Sequence, residues 1–239
     1  MSLRYGGPIK RVLTTIGESD PTKHTYLSQL FHRRRYRALV TILKTLSKGH
    51  VKSILDAGCG KGFLYRELVE SGINVDSYIC LDIDSNKLVN ASGLPICADI
   101  HRLPIIPCSM EYSIVSEVLE HLEKPFIALK NVLIVTKKYL VVTFPNELIK
   151  NALGFRYPDH ITSIDANEIT GVAERYGFKK VLHHKLNYVI PPSTYDKFLP
   201  YNEGISRLLE AFQKIMNWTG CLSMIKTEII VFKRLEECY

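Results

Sequence analysis

The spacing of apolar positions changes period several times along the chain, and each change marks an element. Over residues 24–47, Leu27, Leu30, Phe31, Leu39, Ile42, Leu43 and Leu46 recur mostly at helical intervals with arginines clustered between them, which predicts an amphipathic helix or helix pair. After Lys48-Gly49-His50 the pattern becomes a short apolar run, Val51 to Ala57, then a glycine-rich turn, then the helical stretch Phe63 to Ser71. The alternation repeats. Strands are predicted near Ser77 to Leu81, Leu94 to Ala98, Tyr112 to Ser116 and Tyr139 to Phe144, with a short helix from Ser85 and a longer one over Pro125 to Thr136. Repeated strand–helix units predict an α/β fold with a doubly wound parallel sheet.

The tail breaks this rhythm. A helix over Ala166 to Tyr176 leads into apolar alternation from Lys179 to Ile190, and a last strand is predicted over Thr227 to Phe232. These two strands fit a terminal antiparallel hairpin opened by an insertion. Pro191-Pro192 begins that insertion, about 191–223, in which Leu208, Leu209, Phe212 and Ile215 fall at helical spacing. The organisation read from the pattern is therefore a helical cap over 1–50 and an α/β domain over 51–239.

Composition adds one asymmetry. With 46% apolar and 23% charged residues in 239, the chain has the makings of a folded core. No window approaches the roughly 18 uncharged apolar residues of a membrane span, and MSLRYGGPIKR lacks the apolar stretch of an export signal, so a cytoplasmic protein is expected. The net charge of +7 is concentrated: residues 1–50 hold ten Lys or Arg against Glu18 and Asp20, a net +8, which leaves −1 for the rest. Any anionic partner must engage that first segment. The six cysteines form no CxxC pair and several sit in apolar runs, so reduced thiols are expected, without disulfides and without a cysteine-based zinc site.

The most informative stretch is Asp56-Ala57-Gly58-Cys59-Gly60-Lys61-Gly62. A strand running into glycines at alternate positions and then into a helix lets a ligand approach main-chain N–H groups without meeting a Cβ. Asp82 ends the next strand about 20 residues later, where a carboxylate can accept both hydroxyls of a ribose. Asp56, just before the loop, suits the ammonium of an amino-acid moiety better than a pyrophosphate, and no GxxxxGK[ST] is present. The loop resembles motif I of class I S-adenosylmethionine-dependent methyltransferases.

The resemblance continues through Ala98-Asp99-Ile100, Leu103-Pro104, Val118-Leu119-Glu120-His121-Leu122 and Phe144-Pro145-Asn146. It implies a Rossmann-like, seven-stranded mixed sheet and S-adenosylmethionine as cofactor. It further implies Asp56 and Gly58 near the methionine part, Gly60 and Gly62 in the same cofactor-binding loop, Asp82 on the ribose, and Ile83, Asp99 and Ile100 around the adenine.

Reacting groups of such folds lie above the carboxyl ends of the strands, which points to Glu117, Glu120, His121, Asn146 and His160. Glu117, Glu120 and His121 stand at i, i+3 and i+4, so one helical turn would present them together. With His160 they could hold a hard divalent cation such as Mg²⁺. The pattern resembles the ExxEH motif of ubiquinone-type O-methyltransferases and of small-RNA 2′-O-methyltransferases. Without metal, His160 is the candidate base, with His121 and Glu117 as further candidate catalytic residues. The expected reaction is O-methylation of a small molecule. RNA methylation through the arginines of His32-Arg33-Arg34-Arg35-Tyr36-Arg37 is an alternative, as is a non-catalytic cofactor-binding subunit. A helix over the cofactor pocket can also use one arginine for the methionine carboxylate.

Overall fold

The computed structural model describes residues 26–146, 159–188 and 225–236. The first 25 residues of the expected cap and the whole expected insertion at 191–223 lie outside the described residues.

The described residues begin with one helix, α1 (Tyr26–Ser47), over a stretch where the pattern allowed one or two. Leu39 and Leu43, one helical turn apart, are fully buried. They seat α1 against β1 (His50–Ala57) and α2 (Phe63–Glu70). Then follow β2 (Asn74–Asp82), the short α3 (Ser85–Leu88), β3 (Leu94–Cys97), β4 (Met110–Ser116), α4 (Pro125–Val135) and β5 (Thr136–Asn146). After α5 (Ala166–Arg175) come β6 (Phe178–Tyr188) and β7 (Ile225–Arg234).

The seven strands form one sheet in the order β3-β2-β1-β4-β5-β7-β6. The first five in that order pair in parallel, whereas β7 is antiparallel to both β5 and β6. Strand alternation sends side chains to two layers. Leu55, Ala57, Ile230 and Phe232 face the layer of α4 and α5, while Ile54, Ile229 and Val231 face the layer of α1 and α2. Burial on both faces explains the nearly continuous apolar runs of the central strands.

Parallel pairing has a positional consequence. The carboxyl ends of β1, β2, β4 and β5 share one edge of the sheet, and the antiparallel β7 begins there. Asp56, Asp82, Ser116, Asn146 and Glu228 therefore converge along one line, as doubly wound sheets require of a binding edge.

One expectation needs correction. Cys59, Cys80 and Cys97 are free thiols, but Cys108 is disulfide-bonded, with its other half outside the described residues. Spacing alone could not expose it, because the chain offers no paired motif.

The hairpin is locked at the opposite edge by Arg234. Its guanidinium donates to the carbonyls of Leu133 at 2.8 Å and Thr136 at 2.9 Å, the last turn of α4, and covers the Phe178 ring at 4.4 Å. Charged donors to backbone carbonyls together with a ring contact are worth about 2–3 kcal/mol. Arg234→Ala is expected to lose about that much in chemical denaturation, and Arg234→Lys, which lacks the fork, to recover less than half.

Candidate active site at the carboxyl edge of the sheet

The glycine loop is fastened to β2 by its own backbone. The N–H groups of Gly58 and Cys59 donate to the Leu81 carbonyl at 2.7 and 3.0 Å. Gly60 N–H donates to Asp82 Oδ2 at 2.9 Å, and Asp84 N–H to Asp82 Oδ1 at 3.0 Å. Asp82 is thus buried and oriented by two backbone donors. Gly58 has φ 84°, and a Cβ there would stand 2.3 Å from Val118 Cγ2, so only glycine allows the loop and the end of β4 to meet. At Gly60, φ 55°, nothing lies within 4 Å of a Cβ position, which leaves an open approach to the main chain.

Asp56 is buried below this loop and accepts a hydrogen bond from Tyr78 Oη at 2.7 Å. Burial pushes its carboxyl up to about 7. The Tyr78 hydroxyl and the Arg35 charge pull the other way, and neighbouring Asp82 adds to the rise. Arg35 comes down from α1 and is only 5% exposed. Its Nη1 lies 3.6 Å from Glu117 Oε2, and its guanidinium packs 5.2 Å from the Tyr36 ring centre. The basic run therefore divides: Arg35 turns inward, while Arg33 stays at the surface and reaches Glu67 at 3.7 Å. The signal was in the sequence, since Arg35 shares the i, i+4, i+8 stripe of Leu39 and Leu43.

Of the three expected adenine neighbours, two face outward. Ile83 is 72% exposed, a large apolar side chain left in water beside Asp82. Asp99 accepts from the His101 backbone N–H at 2.8 Å and from the His101 ring at 2.7 Å, and these bonds hold its carboxyl below the usual range. Ile100 instead packs inward among the apolar residues facing α4.

The acceptor side departs from the expected helical turn. Glu117 sits at φ 55° before any helix forms, with its carboxylate held by Thr143 Oγ1 at 3.2 Å and by Arg35. The turn that follows is a 3₁₀ helix of only Leu119–His121. Glu117 is thereby parted from Glu120 and joined to the cofactor side. Glu120, His121 and His160 do converge, each offering a ligand atom within 4.8 Å of the others. Glu120 is 1% exposed, and its backbone carbonyl accepts from Ile161 and Thr162, which fastens the loop that carries His160. His121 Nδ1 donates to the Asp159 carbonyl at 2.9 Å, and its ring meets that of His160 edge-on at 4.8 Å between centres.

The arrangement can be set beside known proteins. Residues 55–141 match the model of a methyltransferase domain. The matched stretch holds the glycine loop and Asp82. The fold is likewise that of solved methyltransferases. A magnesium protoporphyrin IX methyltransferase from Synechocystis PCC 6803 with bound S-adenosylhomocysteine superposes with a TM-score of 0.62 at 14% identity, covering 95% of this chain and 94% of that one. The N-methyltransferase NodS from Bradyrhizobium japonicum WM9, in complex with S-adenosylhomocysteine, gives 0.58 at 14% identity, with coverage of 95% and 98%. The cyclase SpnF gives 0.58 at 14% identity over 82% and 80%. No curated protein sequence matches the chain.

Two outcomes follow for the glycine-loop site. A neutral Asp56 cannot pair with an ammonium, so calorimetry should show S-adenosylhomocysteine binding flat above about pH 8 and weakening up to tenfold per unit below about pH 7. Asp56→Asn should abolish that slope. Arg35→Ala should weaken S-adenosylhomocysteine about tenfold while leaving 5′-methylthioadenosine, which lacks the aminoacyl group, within about twofold.

Proposed function

We propose that the chain transfers methyl groups to an oxygen of a small-molecule acceptor, with His160 and His121 taking the acceptor's proton. The observation that carries this reading is the convergence of Glu120, His121 and His160 at the end of β4, one turn beyond the Val118 that touches the glycine loop. The cofactor supplies a methyl group on a sulfonium, so an attacking hydroxyl needs alignment and somewhere to leave its proton. A carbonyl only accepts, so the hydrogen bond to Asp159 puts the proton of neutral His121 on Nδ1 and leaves a lone pair at Nε2. The buried Glu120 carboxylate favours the imidazolium formed when that lone pair takes a proton.

The magnesium expected from the sequence does not suit these donors. With Glu117 drawn away to Arg35, one carboxylate and two imidazoles remain, whereas Mg²⁺ prefers oxygen ligands in octahedral array. The base-assisted route above needs no metal. The RNA alternative is weakened by the inward turn of Arg35 and the pairing of Arg33 with Glu67. The helical cap and the 191–223 insertion remain the segments proposed to shape acceptor choice. Among the described residues, no helix is long and apolar enough to cross a membrane.

Transfer of labelled methyl from S-adenosylmethionine to a panel of phenols, catechols, hydroxy acids and RNA tests the reading. His160→Ala and His121→Ala are expected to lower kcat about 100-fold, with S-adenosylhomocysteine affinity within about threefold and no response to added Mg²⁺. Full activity in both variants would remove the base assignment, and transfer to RNA alone would replace the acceptor class. Tight binding to another protein without any turnover would favour a regulatory subunit.

A further inference from the structure

The disulfide at Cys108 has two candidate partners. Of the six cysteines, Cys59, Cys80 and Cys97 are free thiols, so the bond runs to Cys221 or to Cys238, both outside the described residues. Cys108 itself is firmly placed. Its N–H donates to the Ile134 carbonyl at 2.9 Å, and the Ser109 hydroxyl closes the turn on the Ile106 carbonyl at 2.7 Å. Cys108 takes φ 57° in that turn, a left-handed conformation that a residue with a side chain rarely adopts. The turn before β4 thus holds the half-buried Cys108 beside the end of α4.

Strand register separates the two candidates. β7 enters the sheet at the binding edge, where Lys226 pairs with Asn146, and leaves it at the opposite edge, where Arg234 pairs with Phe178. Cys221 precedes Ile225 by four residues, Cys238 follows Arg234 by four, and the ten residues of β7 lie between. A strand of that length spans about 30 Å, whereas four extended residues reach about 14 Å and a disulfide joins Cα atoms at most about 7 Å apart. Cys108 belongs to the exit end of β7. Arg234 grips the Leu133 and Thr136 carbonyls at 2.8 and 2.9 Å, on either side of the Ile134 carbonyl that holds Cys108. The Leu235 N–H then donates to the Gly177 carbonyl at 2.9 Å, which keeps the chain at that edge. Cys238 comes three residues later, within reach, and Cys221 falls roughly 9 Å short.

We infer that Cys108 and Cys238 are joined, forming a redox modification site at the edge of the sheet opposite the glycine loop. The bond forms by thiol–disulfide exchange with a small disulfide such as oxidised glutathione. One protein thiolate attacks it and expels the first glutathione, and the second protein thiolate attacks the mixed disulfide and expels the other. The two electrons and two protons lost by the cysteines pass to glutathione, which leaves as two thiols. The new bond ties the exit of β7, the end of α4 and the turn before β4 into one unit. Its ends stand 130 positions apart, and closing so long a loop removes much of the freedom of the unfolded chain.

Tryptic mapping of the full chain, equilibrated with excess oxidised glutathione, alkylated and kept unreduced, tests the assignment. Cleavage after Arg234 releases Leu235–Tyr239 with Cys238, and cleavage after Lys214 releases a separate peptide with Cys221. The expected product joins Leu235–Tyr239 to the peptide that begins at Leu103 and holds Cys108, and reductant parts them. The oxidised protein is expected to melt about 5–10 °C above the reduced one. Cys238→Ser abolishes that difference, and Cys221→Ser keeps it. A Cys108 peptide joined to the Cys221 peptide, or a Cys108 found alkylated or carrying glutathione after equilibration, overturns the inference. So does a melting difference that survives in Cys238→Ser.

Discussion

A space too small for a methyl group decides how the binding edge is put together. Because Gly58 has no side chain, Val118 packs directly on the glycine loop, and the end of β4 closes against the end of β1. The cofactor loop, the inward Arg35–Glu117 pair and the Glu120–His121–His160 cluster are all referenced to that contact. The loop's second anchorage is electrostatic, through backbone donors that turn the Asp82 carboxylate toward the edge. Sterics set the distance between the two strand ends, and hydrogen bonds set the direction of the ligand-facing acid.

The same contact explains the unusual backbone that follows. With Val118 fixed on Gly58, the chain leaves β4 through Glu117 at φ 55°, a conformation costing about 1–2 kcal/mol for a residue with a side chain. The strain is offset by the hydrogen bond from Thr143 and the ion pair to Arg35. Local backbone and long-range charge thus act together to give Glu117 to the cofactor side and Glu120 to the acceptor side.

What could be read from the sequence was what depends on near neighbours. The strand and helix alternation appears in the fold within a few residues at each end, because runs such as Val51 to Ala57 are buried on both faces whatever their partners. The terminal hairpin was legible for the same reason, and the seven-stranded mixed sheet through the family resemblance. The helical face shared by Glu117, Glu120 and His121 was not observed, since spacing assumes a helix and the contact at Gly58 delays it. The pair of Glu228 with His183 was invisible because its members are 45 positions apart and meet only through strand register. The methyltransferases and the cyclase that share the architecture at 14% identity show why the fold by itself does not name the substrate.

The exposed Ile83 bears on the thermodynamics of cofactor capture. In the proposed cofactor site an aromatic base would cover this isoleucine, and full burial of such a side chain is worth about 1.5–3 kcal/mol. That share of the affinity comes from shedding hydration water, so it carries a negative heat-capacity change and strengthens toward warmer conditions before levelling. The hydrogen bonds at Asp82 and Asp99 carry the opposite tendency. In the proposed site, cofactor retention would therefore be set by two terms of different temperature dependence, one apolar and one polar, meeting on adjacent residues at the end of β2.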